Sequence, residues 1–159
     1  MVKFTQATES DVTDILFFIN ELSESEGVGK VIATESDILT NVFHSNNNIN
    51  VIFAEINGER VGLAFYFYTF STFLGKRGIY IEDLYVKPQF RNQKVGKKLF
   101  QHIAQIAASN NCERIELSCL NLNANAIKFY KSIGMKQVND YSIHRLELSE
   151  IKKLAKCEF

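Results

Sequence analysis

Basic residues cluster around a glycine in the second half of the chain. In the segment YIEDLYVKPQFRNQKVGKKL a strand runs into a loop, and a helix begins near Lys94 with Gly96 in its first turn. The basic side chains beside this glycine are Arg91, Lys94, Lys97 and Lys98. Because unpaired N–H groups and the helix dipole favour anions, such a helix start is typical of phosphate binding. The alternative is a basic, solvated helix start, and the segment is neither a Walker loop nor a dinucleotide fingerprint.

The composition is that of one globular domain, which we expect to span residues 1–159. Of the 159 residues, 46% are hydrophobic and 23% are charged, and the formal net charge is zero. This balance argues against a nucleic-acid-binding protein or a polybasic membrane protein. Residues 1–80 hold 5 basic and 10 acidic side chains, whereas residues 81–159 hold 13 and 8. The split suggests two small ligands of opposite charge, with the anion held by the basic half.

Targeting and metal-binding signals are missing from the sequence. The most apolar segment, residues 61–74, is short for a membrane span of about 20 residues, and its aromatic content favours a strand. The N-terminus lacks the apolar core of a signal peptide. Three cysteines, Cys112, Cys119 and Cys157, have the spacing of neither a disulfide framework nor a zinc site. We therefore expect a cytoplasmic protein that binds no metal.

Apolar periodicity and turn signals predict the elements that position these residues. Helices are expected over about residues 10–24, from residue 34 to an end at 45–48, from residue 93 or 94 to 108, and over 124–133. Strands are expected over 2–7, 50–56, 60–73, 79–86, 114–120 and 141–148, with Asn57-Gly58 making the first hairpin turn. A short terminal helix would be capped by Ser149. The order β-α-α-β-β-β-α-β-α-β predicts a mixed α/β domain with a mostly antiparallel central sheet flanked by helices.

Two sequence blocks resemble motifs of the GNAT superfamily of N-acetyltransferases. Arg91-x-x-Lys94-Val95-Gly96 resembles the acetyl-CoA loop, Gln/Arg-x-x-Gly-x-Gly/Ala, and the block from Asn123 to Met135 resembles Asn-x-x-Ala-x-x-Phe-Tyr-x-x-x-Gly-Phe. The predicted order of elements is also that of the family, so the resemblance covers nearly the whole chain. Within the family, Tyr80-Ile81-Glu82-Asp83 looks like the spermidine/spermine (diamine) N-acetyltransferase branch.

Two positions depart from the family pattern. Lys94 replaces the first glycine of the loop, where its side chain would either narrow the approach of the pyrophosphate or pair with it. Ser71 replaces an aspartate of the polyamine enzymes, which leaves room for a shorter amine.

The resemblance implies acetyl-CoA as the cofactor. Backbone groups of Leu84 and Val86 would bind its pantetheine arm, and the Leu84 N–H would polarise the thioester carbonyl. Asn123 would contact the cofactor, and the alternative role of helix N-cap is compatible with that contact. The residues expected to contact the cofactor are Leu84, Tyr85, Val86, Arg91, Asn92, Gln93, Lys94, Val95, Gly96, Lys97, Asn123, Ala126 and Tyr130.

Catalytic roles are likewise implied by the resemblance. Tyr130 matches the general acid that protonates the departing thiolate, with core packing beside Phe129 as the alternative. Glu82 matches the general base, and partial burial in mid-strand would favour its neutral form. Alternatively, Glu82 binds the cationic amine without moving a proton. Regular alternation would place Asp83 on the opposite face of the strand.

The implied reaction is direct acetyl transfer, in a ternary complex, to a primary amine of a small cationic substrate, either a diamine or polyamine or a lysine-like amine. Glu26, in the predicted loop after the first helix, matches an acidic residue on the substrate side. The residues expected to contact the substrate are Glu26, Glu82, Asp83, Glu116 and Ser118. The alternatives are a GNAT enzyme for a protein, peptide or other amine, and a non-catalytic module that binds coenzyme A. The resemblance also implies a homodimer.

Overall fold

The computed structural model describes residues 1–44 and 48–156 of a chain that divides into two compact units, residues 1–124 and 125–159. The first unit contains a five-stranded sheet in the order β1-β2-β3-β4-β5. Its strands are β1 (Val2–Gln6), β2 (Ile49–Ile56), β3 (Glu59–Ser71), β4 (Lys76–Val86) and β5 (Cys112–Leu117). The first four pair antiparallel and β5 pairs parallel to β4, which confirms the predicted mixed, mostly antiparallel sheet.

Among the described residues of the first unit, three α-helices accompany this sheet. They are α1 (Val12–Glu26), the short α2 (Glu35–Ile38), which continues as a π-helix over Leu39–Phe43, and α3 (Val95–Ser109). The predicted end of the second helix falls on residues 45–47, which lie outside the described residues, as does Cys157. In α1 the helix runs two residues further than predicted, to Glu26.

The helices cover the sheet through two separate apolar clusters. The first cluster joins the sheet to α3, where Val95, Leu99 and Ile103 are at most 1% exposed. The second joins the sheet to α1 through Ile15 and Phe18. At about 25 cal/mol per Å² of buried apolar surface, such contacts hold α1 and α3 firmly against the strands that carry the candidate site.

The described part of the second unit, residues 125–156, contains two helices with irregular chain between them. The helix α4 (Ala124–Ser132) begins at the last residue of the first unit, and α5 (Leu148–Leu154) follows later. Gly134 ends α4 at φ +93°, as its C-cap role requires. The predicted strand over residues 141–148 is wrong, because residues 135–147 form neither helix nor strand. The predicted cap is also wrong, since Glu147 rather than Ser149 is the N-cap of α5.

The failure of the last strand has a physical reason. Alternation of Tyr141 and Ile143 with polar residues indicates a surface that fits a sheet, but a strand forms only when a neighbour supplies its ladder of hydrogen bonds. Tyr141 and Ile143 are instead 84% and 76% exposed.

Candidate active site

The parallel strands β4 and β5 stop pairing before β4 ends. Their register runs from Arg77 opposite Cys112 to Ile81 opposite Leu117, where β5 ends. The strand β4 continues for five residues, Glu82 to Val86, of which Asp83 to Val86 have ladder partners on β3. The edge of β4 that turns away from β3 over this stretch can therefore accept an extended ligand in place of a strand. Leu84 and Val86, which are expected to contact the pantetheine arm, lie on this stretch.

A β-bulge at Glu82 changes which way the following side chains face. Tyr66 pairs with Ile81 and Phe65 pairs with Asp83, so Glu82 is an extra residue in the ladder. As a result, Ile81 and Leu84 pack in the same cluster although they are three residues apart. The alternation predicted for Glu82 and Asp83 is wrong for this reason. Asp83 shares a face with Tyr85, which packs on the α1 side of the sheet.

The partly buried carboxyl of this pair is Asp83, not Glu82. Glu82 is exposed, contrary to the expectation of partial burial in mid-strand. Burial, together with the nearby charges of Glu82 and Glu26, raises the pKa of Asp83 to about 6. Two other carboxyl groups therefore lie within electrostatic reach of Asp83, at the point where β4 leaves β5. A cation bound here would relieve their mutual repulsion.

Glu26 is the last residue of α1 rather than a loop residue. Gly27 follows in the left-handed conformation at φ +65°, and the Gly27 and Val28 N–H groups bond back to carbonyls of Glu24 and Ser23 at 3.3 Å. Helix C-termini favour cations, so a carboxylate at this place costs stability unless something offsets it. The Asn123 side-chain amide donates a hydrogen bond to Glu26 Oε1 at 3.2 Å.

The loop and helix start that carry the basic residues form the next part of the site. Lys94 is the N-cap of α3 and adopts the left-handed conformation at φ +64°. This conformation suits glycine, which explains the glycine of the family pattern. The Lys98 N–H donates to the Lys94 carbonyl at 3.0 Å as the first bond of the helix. The amides of Val95, Gly96 and Lys97 therefore precede that bond and are oriented for an anion.

Arg91 is held by protein groups. Its Nε donates to the Val86 carbonyl at 2.9 Å, and its Nη2 donates to Ser25 Oγ at 3.2 Å. In the same loop, the Gln93 amide donates to the Gln89 carbonyl at 2.9 Å, and Asn92 has φ +62°.

The weaker substrate candidates have protein partners in the first unit. Glu116 forms an ion pair with Arg114 at 2.8 Å, and Ser118 Oγ lies 2.6 Å from the Tyr80 hydroxyl. The Tyr80 ring stacks on Phe67 with centroids 5.3 Å apart. These side chains form an aromatic and polar surface two residues before the bulge on β4.

The second unit carries the remaining predicted residues. Ala126 and Tyr130 are four residues apart on α4, so they share one face of that helix. The Tyr130 ring packs edge-on against Phe129 with centroids 5.3 Å apart.

Two residues of the site were not singled out by sequence reasoning. Cys119 is partly buried, and both burial and the nearby charge of Glu26 raise the pKa of its thiol. Ser25 bonds to Arg91, and its only signal in the sequence is its place before Glu26. Within residues 1–44 and 48–156, no helix is long and apolar enough to cross a membrane. The same residues contain no group of three or more His, Cys, Asp or Glu that could hold a metal ion.

Known proteins share this sequence and this fold. Residues 16–135 match the model of the acetyltransferase (GNAT) family. A thialysine N-epsilon-acetyltransferase from Sus scrofa is 32% identical over 97% of this chain and 97% of its own length. The corresponding enzyme from Mus musculus is 33% identical over 87% of this chain and 86% of its own. An integron cassette protein from V. cholerae superposes with a TM-score of 0.83 at 29% identity, covering 98% of both chains.

The family match covers most of the chain and includes β4, the loop before α3 and all of α4. The open edge of β4 and the anion-binding start of α3 fit the acetyl-CoA used by acetyltransferases of this family. The chain therefore belongs to the GNAT family and is an N-acetyltransferase.

Proposed function

We propose that this enzyme transfers the acetyl group of acetyl-CoA to a primary amine of a small cationic substrate. The observation that carries the proposal is the group of three carboxyls, Glu26, Glu82 and Asp83, at the place where β4 leaves β5. A small amine with a second cationic group would present one nitrogen for acetylation and place its second positive charge beside these carboxyls. Asp83, with a pKa of about 6, changes charge just below neutral pH.

The chain's own groups fit a cofactor with an extended arm and a phosphate end. The outer edge of β4 from Glu82 to Val86 would pair with the arm, and the Leu84 N–H would polarise the thioester carbonyl. The amides of Val95, Gly96 and Lys97, with the ammonium of Lys94, would hold the pyrophosphate. Acetyl-CoA, when bound, supplies an acetyl group activated as a thioester.

Proton transfer is assigned to two side chains. Glu82, exposed at the bulge, would take the proton from the amine, directly or through water. Tyr130 is proposed as the general acid on the strength of the sequence signature that contains it. A phenol is a weaker acid in water than a thiol, so full proton transfer to the free thiolate is slightly uphill. Tyr130 would therefore act by donating its hydrogen bond to the sulfur while the carbon–sulfur bond breaks.

The substrate we favour is short and lysine-like. The relatives from Sus scrofa and Mus musculus are named for acetylation of the epsilon nitrogen of thialysine. Ser71, at the position of the aspartate in polyamine enzymes, is 7% exposed, and its Oγ accepts the Leu74 N–H at 3.3 Å. It therefore offers no negative charge to a distant amine of a long polyamine.

The proposal includes the domain organisation, the oligomeric state and the cellular location of the enzyme. The family match from residue 16 to 135 spans the boundary between the two compact units, which supports one acetyltransferase domain over residues 1–159. We also propose a homodimer in the cytoplasm. Exposed apolar side chains at the β3–β4 turn, Phe70, Phe73 and Leu74, offer a surface for a second copy. Light scattering on the purified chain would test the dimer.

A panel of amines tests the proposed function. Release of free thiol from acetyl-CoA is followed with thialysine, lysine, 1,4-diaminobutane, spermidine and a short peptide with a free N-terminus. We expect the highest kcat/KM for thialysine or another short cationic amine. Binding of coenzyme A without turnover of any amine would favour a non-catalytic module, and preference for the peptide would reassign the substrate class.

A further inference from the structure

The last two residues of α1 are each held by a side chain from an element expected to bind the cofactor. Ser25 Oγ accepts from Arg91 Nη2 at 3.2 Å, and Glu26 Oε1 accepts from the Asn123 amide at 3.2 Å. Arg91 lies in the loop before α3, and Asn123 lies just before α4. These bonds join residues that are 66 and 97 positions apart in the sequence.

From these two attachments we propose that Arg91 and Asn123 are positioning residues for Glu26, and that they couple occupation of the cofactor site to binding of the amine. The proposal rests on the proposed function, because it assigns Glu26 to the amine and the two polar side chains to acetyl-CoA.

The chemistry of the two side chains allows both tasks at once. A guanidinium carries five N–H donors, of which the Val86 carbonyl and Ser25 take two, so phosphate oxygens can bind the others. An amide side chain likewise bonds more than one partner. A bound cofactor would restrict Arg91 and Asn123 and, through them, the end of α1. The amine would then meet a carboxylate that is already oriented.

The end of α1 needs such support. A carboxylate at a helix C-terminus is disfavoured by the helix dipole, and α1 has no basic residue in its last turn. Gly27, in the left-handed conformation, ends the helix directly after Glu26. The Gly27 and Val28 amides bond into this last turn at 3.3 Å, so their exchange with solvent reports how firmly the turn is held.

The test uses Ser25→Ala, which removes one attachment and leaves Glu26, Arg91 and Asn123 in place. We expect the Gly27 and Val28 amides to exchange about threefold to tenfold faster than in the wild type, and KM for thialysine to rise by a similar factor. The kcat should change by less than about twofold, because the reacting groups are untouched. Coenzyme A alone should slow exchange of these two amides in the wild type, and less so in Ser25→Ala.

Two variants serve as controls. Ser25→Thr keeps the hydroxyl and should restore both readouts. Ser109→Ala makes the same change in the last residue of α3, which is exposed, and should alter neither. Unchanged exchange at Gly27 and Val28 in Ser25→Ala would overturn the proposal, as would an unchanged KM in an enzyme that acetylates thialysine. If the wild type acetylates no amine, the proposed function fails separately, and the exchange rates with coenzyme A still decide the coupling.

Discussion

Asp83 lies opposite Phe65 in the β3–β4 ladder, one residue further along β4 than an unbroken register would place it. The extra residue is Glu82. This single insertion leaves Glu82 exposed, turns Asp83 towards the α1 side of the sheet and keeps Leu84 in the cluster beneath α3. The bulge thus produces two neighbouring carboxyls with different environments where β4 leaves β5.

Replacing Asp83 should stabilise the protein at neutral pH. Its pKa is raised from an ordinary value of 3.8 to about 6, so ionisation costs folding free energy that is absent below about pH 4 and fully present above about pH 6. Asp83→Asn should therefore raise the free energy of unfolding at pH 7 by about 1–3 kcal/mol and leave it nearly unchanged at pH 4. Urea denaturation at the two pH values measures this difference.

Glu113→Gln is the matched control for this effect, because Glu113 is an exposed carboxylate of β5. It should change the free energy of unfolding by less than about 0.5 kcal/mol at either pH. Equal stabilities of wild type and Asp83→Asn at pH 7 would show that burial does not penalise the Asp83 carboxylate.

Lys94→Gly should stabilise the fold and weaken the cofactor complex. A non-glycine residue at φ +64° is strained by about 1–2 kcal/mol, part of which is offset by the greater freedom of glycine in the unfolded chain. We expect the free energy of unfolding, measured by thermal denaturation, to rise by about 0.5–1 kcal/mol. Loss of the ammonium should raise the Kd for coenzyme A about threefold to tenfold, and the salt dependence of binding should fall.

Asn92 offers a control for backbone strain at φ +62° in the same loop. Asn92→Gly should relieve backbone strain as Lys94→Gly does, but it changes no charge. It should therefore leave the salt dependence of coenzyme A binding unaltered. Tighter binding of coenzyme A by Lys94→Gly would show that the lysine side chain obstructs the pyrophosphate.

Tyr130→Phe should lower kcat about 100-fold and leave the affinity for coenzyme A within about twofold of the wild type. The phenyl ring keeps the edge-on packing on Phe129, so a large loss of stability is not expected. Steady-state kinetics and titration calorimetry measure the two quantities. Tyr141→Phe changes an 84% exposed tyrosine of the same unit and serves as the control. If Tyr130→Phe retains full turnover, the general acid lies elsewhere.

The sequence predicted the elements well where local pattern decides them. The apolar faces of α1 and α3 and the hairpin at Asn57-Gly58 follow directly from side-chain periodicity and turn chemistry. The strand over residues 141–148 does not form, because alternation in sequence does not supply a paired neighbour. The end of α1 was placed too early, since helix ends depend on the cap and Gly27 adopts the left-handed conformation that ends this one.

The sequence identified the residues of the candidate site better than it predicted their arrangement. A bulge depends on register between strands, so the exchange of environment between Glu82 and Asp83 is invisible in the sequence of β4 alone. The bonds from Arg91 to Ser25 and from Asn123 to Glu26 join distant residues, which no local pattern indicates.

The central claim is that the carboxyls where β4 leaves β5 select a cationic amine. The most direct measurement compares kcat/KM for thialysine, and KM for acetyl-CoA, in the wild type and in the double variant Glu26→Gln, Asp83→Asn. Glu24→Gln, at an exposed carboxylate of α1, controls for general charge. We predict that the double variant loses more than about tenfold in kcat/KM while KM for acetyl-CoA stays within about twofold. An unchanged kcat/KM in the double variant would contradict the account.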